Sequence, residues 1–258
     1  MMTTTKRQLL AAAVILTVCC VQYFNDQLNV WLQIKGENVN FYWRIAGQIL
    51  KYLIPAVLVI AAFHKPNKIM TELGLSHGFL EGIQYAFLFT LPMLIGYALM
   101  GEYNNEFSLL ENILKAFKDG FREEVYFRAF LFGQLFRHVK LGFLPAVVIN
   151  GLIFGFLHLW QAHTLSESIG VVAITFAGAV WFAWLFVEWK GNLWLPIFMH
   201  FFMNFYWHLF STEHSAVGGF MLNLPRILTI ALSIYWTIKI IRKNGNLIIN
   251  RKNLILNP

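Results

Sequence analysis

Residues 169–187 read IGVVAITFAGAVWFAWLFV, a run with no charged side chain and a single hydroxyl, that of Thr175. A bilayer core of about 30 Å is crossed by roughly 20 such residues in a helix, so this run is long enough to span one. Seven other stretches share its character: Leu9 to Phe24, Ile45 to Phe63, Ile83 to Met100, Phe121 to Phe136, Leu144 to Trp160, Leu193 to Phe210 and Phe220 to Ile241. The shorter ones suit a tilted or locally thinned setting. With 58% hydrophobic and only 13% charged residues, the 258-residue chain has too little polar surface to cover a soluble globule. The sequence therefore predicts an all-α, polytopic transmembrane helical bundle of about eight transmembrane helices. It forms a single domain over 1–258, and the lipid bilayer is its first partner.

The net charge of +7 does not point to nucleic acid, because the basic residues fall between and after the apolar runs instead of forming one patch. If the N-terminus is cytoplasmic, one face collects Lys6, Arg7, Lys65, Lys68, Arg137, Lys140, Lys190 and the cationic tail from Lys239 to Lys252. That is twelve of the twenty basic residues. The other face collects six, among them Lys35, Arg122 and Arg226, together with acids such as Glu102, Asp119 and Glu213. This bias predicts a multi-pass plasma (inner) membrane protein with both termini cytoplasmic. The first run follows Lys6 and Arg7 as a signal peptide would, but it shows no small-residue cleavage site and is expected to be retained. Cys19 and Cys20 stand side by side within it and read as buried, inert thiols. From Glu106 to Lys118, Phe107, Leu110, Ile113, Leu114 and Phe117 recur at helical spacing among charges, the pattern of an amphipathic interfacial helix.

Against this background, polar groups inside the runs need a reason, since each Arg, Lys or Asp at a helix centre costs about 2.5 to 3.5 kcal/mol. The fourth run opens with Phe121-Arg122-Glu123-Glu124-Val125-Tyr126-Phe127-Arg128. Glu124 and Arg128 stand one turn apart and can pair, which offsets part of their desolvation. Glu123 is rotated by about 100° from Glu124 and points elsewhere. Acids at a helix start also suit the positive dipole end, so surface capping is the plain alternative for the two glutamates; Arg128, a turn deeper, argues against it. In the fifth run Gly151, Phe154, Gly155 and His158 share one stripe, and the two glycines permit close approach of another helix, which turns His158 towards protein. In the seventh run His200 and Asn204 lie one turn apart on an otherwise apolar helix. Each pair alone would serve as interhelical glue worth about 0.6 kcal/mol. In the assigned orientation all of them converge in the outer half of the bundle. The remaining histidines, His64, His77, His138, His163, His208 and His214, fall in loops or near run ends and read as ordinary interfacial residues.

Taken in order, Glu-Glu-xxx-Arg at Glu123, Glu124 and Arg128, Phe-xxx-His at Phe154 and His158, and His-xxx-Asn at His200 and Asn204 resemble the motifs of the CPBP family, also called the Abi or CAAX prenyl protease 2-like family. The stretches Leu73-Gly74-Leu75 and Gly191 to Ile197 resemble it too, so the likeness covers mainly residues 70–210, the expected catalytic core. The resemblance implies an intramembrane endopeptidase acting on a membrane-associated or CAAX-like protein or peptide, lipidated or not. Glu123 would activate water with the help of His158, His200 and Asn204 would hold the oxyanion, and Glu124 and Arg128 would orient and charge-balance the site. No cofactor is expected. Zinc, bound by Glu123, His158 and His200, is the alternative chemistry, but there is no His-Glu-xx-His and Asn204 is a poor zinc ligand. A silent membrane scaffold or bacteriocin-immunity protein is the competing function. A proton-coupled transporter, which also uses buried Glu, Arg and His, is disfavoured by the lack of an inverted repeat.

Overall fold

A computed structural model describes residues 2–36, 38–210 and 216–257; Glu213 and His214 lie outside the described residues. All eight apolar runs are helical. In chain order the α-helices are α1 (Thr4–Tyr23), α2 (Asn25–Trp31), α3 (Phe41–Phe63), α4 (Ile69–Glu72), α5 (Phe79–Met100), α6 (Leu109–Glu123), α7 (Gly133–Arg137), α8 (Phe143–Phe156), α9 (Leu165–Glu188), α10 (Trp194–Leu209) and α11 (Phe220–Asn244). Between α6 and α7 the backbone runs as a π-helix from Glu124 to Phe132. Among the described residues there is no strand, only an isolated bridge between Leu141 and Leu256.

Among the described residues, six helices are long and apolar enough to cross a membrane: α1, α3, α5, α8 with its following turn, α9 and α11. The fourth and seventh expected spans are not among them. The fourth, with Arg122, Glu123, Glu124 and Arg128 close together, is rich in charge, and α10 has only 16 residues. These two are the helices that carry most of the candidate site.

Local sequence explains the helix starts. Asn40 caps α3 through bonds from the Tyr42 and Trp43 amides, and Thr164 with Glu167 makes a reciprocal capping box at α9. The segment expected to be a separate interfacial helix instead begins at Leu109 and continues without a break into the π-helix, so Glu123 and Glu124 sit in mid-rod and not at a helix start. That excludes surface capping as their role. Along the π-helix all nine residues are buried, whereas α1, α3 and α5 leave large apolar side chains such as Leu16, Leu58 and Leu99 on the outside. The π-helix is therefore the bundle's axis, and the outer helices present the apolar coat a bilayer requires. Cys19 and Cys20 are free and exposed on α1 rather than buried.

Loops from distant parts of the sequence meet at one end of the bundle. The Leu193 amide donates to the Gly74 carbonyl (2.9 Å) and the Trp194 indole to the Leu75 carbonyl (3.2 Å). Gly74 has φ +69°, and a Cβ there would lie 2.3 Å from the Gly191 carbonyl, so only glycine fits. The Leu73-Gly74-Leu75 and Gly191 to Ile197 stretches thus serve by locking onto each other. At the same end the tail crosses the start of α8, where the Gly142, Phe143 and Leu144 amides donate to the Ile255, Asn253 and Leu254 carbonyls.

Candidate active site

The end of α6, the π-helix, the turn after α8 and α10 bring motif residues to one cavity of about 630 Å³, lined by Glu123, Arg128, His158, His200 and Asn204 among others. Glycines set the helix spacing around it. Gly120 lets α6 touch the backbone of α10, since a Cβ would lie 2.9 Å from the Ile197 carbonyl and 3.1 Å from the Phe201 amide nitrogen. Gly151 and Gly155 seat α8 against Phe176 and Val172 of α9, as the small-residue stripe predicts.

The two glutamates point differently. Glu124 is fully buried, meets Arg128 Nε at 3.0 Å through Oε2, and accepts from His200 Nδ1 at 2.7 Å through Oε1. The Arg128 guanidinium is buried too and lies over the Phe154 ring, 4.4 Å from its centroid. Burial of either charge alone would be severely unfavourable, so the pair and the imidazole stand or fall together. Glu123 faces the cavity. Its Oε1 accepts from Arg122 at 2.6 Å, while its Oε2 lies 4.0 Å from His158 Nε2 and 3.9 Å from His200 Nε2.

Both imidazoles are oriented by their other nitrogen. His158 Nδ1 donates to the Phe154 carbonyl at 2.7 Å and His200 Nδ1 donates to Glu124, which turns each Nε2 into the cavity. His158 is not inside α8 as the sequence suggests; the helix ends at Phe156, and the His158 amide bonds back to Gly155, tightening the last turn and swinging the ring inward. Gaps of 3.9 and 4.0 Å are too long for direct hydrogen bonds but suit one water held between Glu123 and an imidazole. Asn204, one turn beyond His200, lines the same cavity.

Residues 105–206 match the family model for the type II CAAX prenyl endopeptidase, Rce1-like. That segment carries every residue of the three motifs, and the family is the one their order and spacing resemble. The match supports a protease, and together with six helices, among the described residues, that are long and apolar enough to cross a membrane, it supports a multi-pass membrane protein. The comparison with curated proteins gives no match.

Arg122, Arg226 and His208 line the cavity and lie outside the motifs. Arg122, expected on the outer face at the opening of the fourth run, is largely buried; it bridges Glu123 and Asp119 (3.1 Å) and lies over the Tyr52 ring. Its position next to Glu123, three residues after Asp119 on one helix, was the available signal. Arg226 comes from α11, where it bonds the Ala216 carbonyl and Asn223 and covers Trp207; nothing in the sequence ties it to the motifs. His208 also lines the cavity instead of lying idle at an interface.

For zinc, the donor types of Glu123, His158 and His200 are suitable, but their spacing is loose. Among the described residues the one group whose ligand atoms all lie within 4.8 Å is a different one, His64, Glu72 and His138. Glu123 moreover has a guanidinium on its first oxygen.

Proposed function

We propose that this chain is an intramembrane endopeptidase of the CAAX type that hydrolyses a peptide bond with a water activated by Glu123. The carrying observation is the convergence of Glu123 Oε2 and two imidazole Nε2 atoms, at 4.0 and 3.9 Å, on one cavity inside the bundle. A water between them gives its proton to the carboxylate as it attacks the carbonyl carbon, with His158 aligning it. The oxyanion then takes hydrogen bonds from His200 Nε2–H and the Asn204 amide, donors worth several kcal/mol in a water-poor site. Glu124 and Arg128 do not touch the substrate in this scheme. Glu124 holds His200 and balances its charge when Nε2 is protonated, and Arg128 compensates Glu124. Collapse of the tetrahedral intermediate breaks the C–N bond, and the proton held by Glu123 passes to the leaving amine.

The chemistry runs without metal in this reading, supported by the loose spacing of the three donors and by Arg122 on Glu123. The substrate is a membrane-associated protein or peptide, lipidated or not, that reaches the cavity from the bilayer. The charge bias of the loops supports both termini in the cytoplasm and a plasma membrane location.

The deciding experiment uses full-length protein in detergent or nanodiscs with a quenched fluorescent CAAX-like peptide, with and without a prenyl group. Cleavage by the wild type and none by Glu123→Gln of unchanged thermal stability supports the reading. A scaffold or immunity protein cleaves nothing and keeps its protective phenotype in the same variant.

A further inference from the structure

At the basic end of the bundle, His64 follows α3, Glu72 closes α4 and His138 follows α7, and their side chains meet. His138 Nε2 is 2.6 Å from Glu72 Oε2, His64 Nδ1 is 3.7 Å from Glu72 Oε1, and the two rings stand with centroids 4.4 Å apart. The side chains are 8% (His64), 13% (Glu72) and 25% (His138) exposed, sheltered yet reachable from water. None of them lines the catalytic cavity. His138 lies fourteen residues beyond Glu124 along a continuous rod, roughly 20 Å at helical rise.

We propose that His64, Glu72 and His138 form a metal site separate from the cavity, taking a zinc-type divalent ion that clamps the α3–α4 turn to the end of α7.

The ring of His64 carries the argument. Its Nε2 faces the Gln134 carbonyl oxygen at 2.9 Å, and Gln134 is fully buried at the base of α7. An amide oxygen only accepts, so Nε2 holds a hydrogen, and whenever the ring is neutral its Nδ1 lone pair faces a carboxylate. Two acceptors then face each other across 3.7 Å, a gap that a cation fills. The bond that His64 donates to Gln134 is the outer-shell contact that orients ligating histidines generally. Ligands around a tetrahedral zinc at about 2.1 Å stand about 3.4 Å from one another. The observed 3.7 Å to Oε1 and 2.6 Å to Oε2 straddle that value, and one ligand atom of each residue lies within 4.8 Å of the other two, so the ion draws the three side chains in by rotamer adjustment and displaces the proton between His138 and Glu72.

Two imidazoles and one carboxylate select zinc-like ions over calcium or magnesium, which want six or more oxygens. The opposing charge is Arg137, with Nη2 3.8 Å from Glu72 Oε2. It is held to the side by the Gly133 and Glu72 backbone carbonyls and by the Phe186 ring.

The test is independent of the peptidase reading. Chelator-stripped full-length wild type, Glu123→Gln, His64→Gln and His138→Gln are titrated with Zn²⁺ against a competing indicator, and their melting is followed with and without the ion. The proposal expects one equivalent bound by wild type and by Glu123→Gln, with a raised Tm in both. It also expects at least tenfold weaker binding and no zinc-dependent Tm shift in the two histidine variants. Cobalt(II) reports the same site by visible absorption in Glu123→Gln and by its loss in His64→Gln, should His138→Gln fail to fold. Absence of tight binding in the wild type overturns the proposal, as does binding that survives both histidine substitutions.

Discussion

Two clusters in this bundle use the same residue types, glutamate, histidine and arginine, to different ends. Around Glu123 and Glu124 the groups are carried by the central rod and its neighbours, and they surround an open volume. Around Glu72 they come from helix ends and close on one another with ligand-like spacing. Space makes the difference: a hydrolase must leave room for water and a peptide between its acid and its imidazoles, whereas a clamp must not. The buried partner of each histidine shows the same division. Glu124 gives His200 a charged support suited to gaining and losing a proton, and Gln134 gives His64 a neutral one that only orients it.

The comparison breaks first at Glu123. Replacing it with Gln is expected to lower cleavage by about 10³-fold. The fold is expected to survive, because Arg122 keeps Asp119 as a partner; peptide assays beside thermal melts check both. Next comes Arg128→Met, which strands the buried Glu124 carboxylate and should cost about 3–5 kcal/mol, read as a large drop in melting temperature with zinc uptake at His64 unaffected in whatever folds. Gly120→Ala forces α6 away from the Ile197 carbonyl. It should cost about 1–3 kcal/mol by overpacking and lower turnover further by pulling Glu124 from His200, which kcat at constant folded fraction would report. Exhaustive chelation sharpens the contrast from the other side: activity per folded molecule stays within about twofold while the melting temperature falls, whereas loss of activity restored by zinc would move the metal into the cavity.

The smallest effect is acid sensitivity at the second cluster. Burial opposes ionisation of Glu72, yet the bond from His138 and the charges of His138, Arg137 and His64 pull its pKa from 4.5 down to about 2. A carboxylate so depressed stabilises the fold at pH values above its unfolded pKa and ceases to as pH falls from about 4.5 to about 2. In chelated protein, Glu72→Gln should flatten that part of the curve of melting temperature against pH.

The helices and the three motifs were legible because both rest on short-range patterns: apolar runs of membrane length, and polar residues four apart where polar residues are expensive. The different headings of Glu123 and Glu124 followed from the same geometry. What escaped has physical reasons. Nine consecutive buried residues obey no period of 3.6, so neither the π-helix nor its continuity with α6 shows in the pattern. The charges that mark the site also set the fourth run apart from the membrane-length apolar helices, and α10 with 16 residues falls short of them in length. His64, Glu72 and His138 are joined only by the folding together of three loop ends, and each in isolation is an ordinary interfacial residue.

The enclosure of the rod from Glu124 to Phe132 also bears on how the chain is made. A segment with an acid and an arginine near its head partitions poorly from a translocon into lipid on its own, and the shell that α1 and α3 begin is completed only when α8, α9 and α10, which follow it, have emerged from the ribosome. Biogenesis must therefore hold this stretch at the channel until later helices arrive, and truncation of the nascent chain before Trp194 should leave it unintegrated.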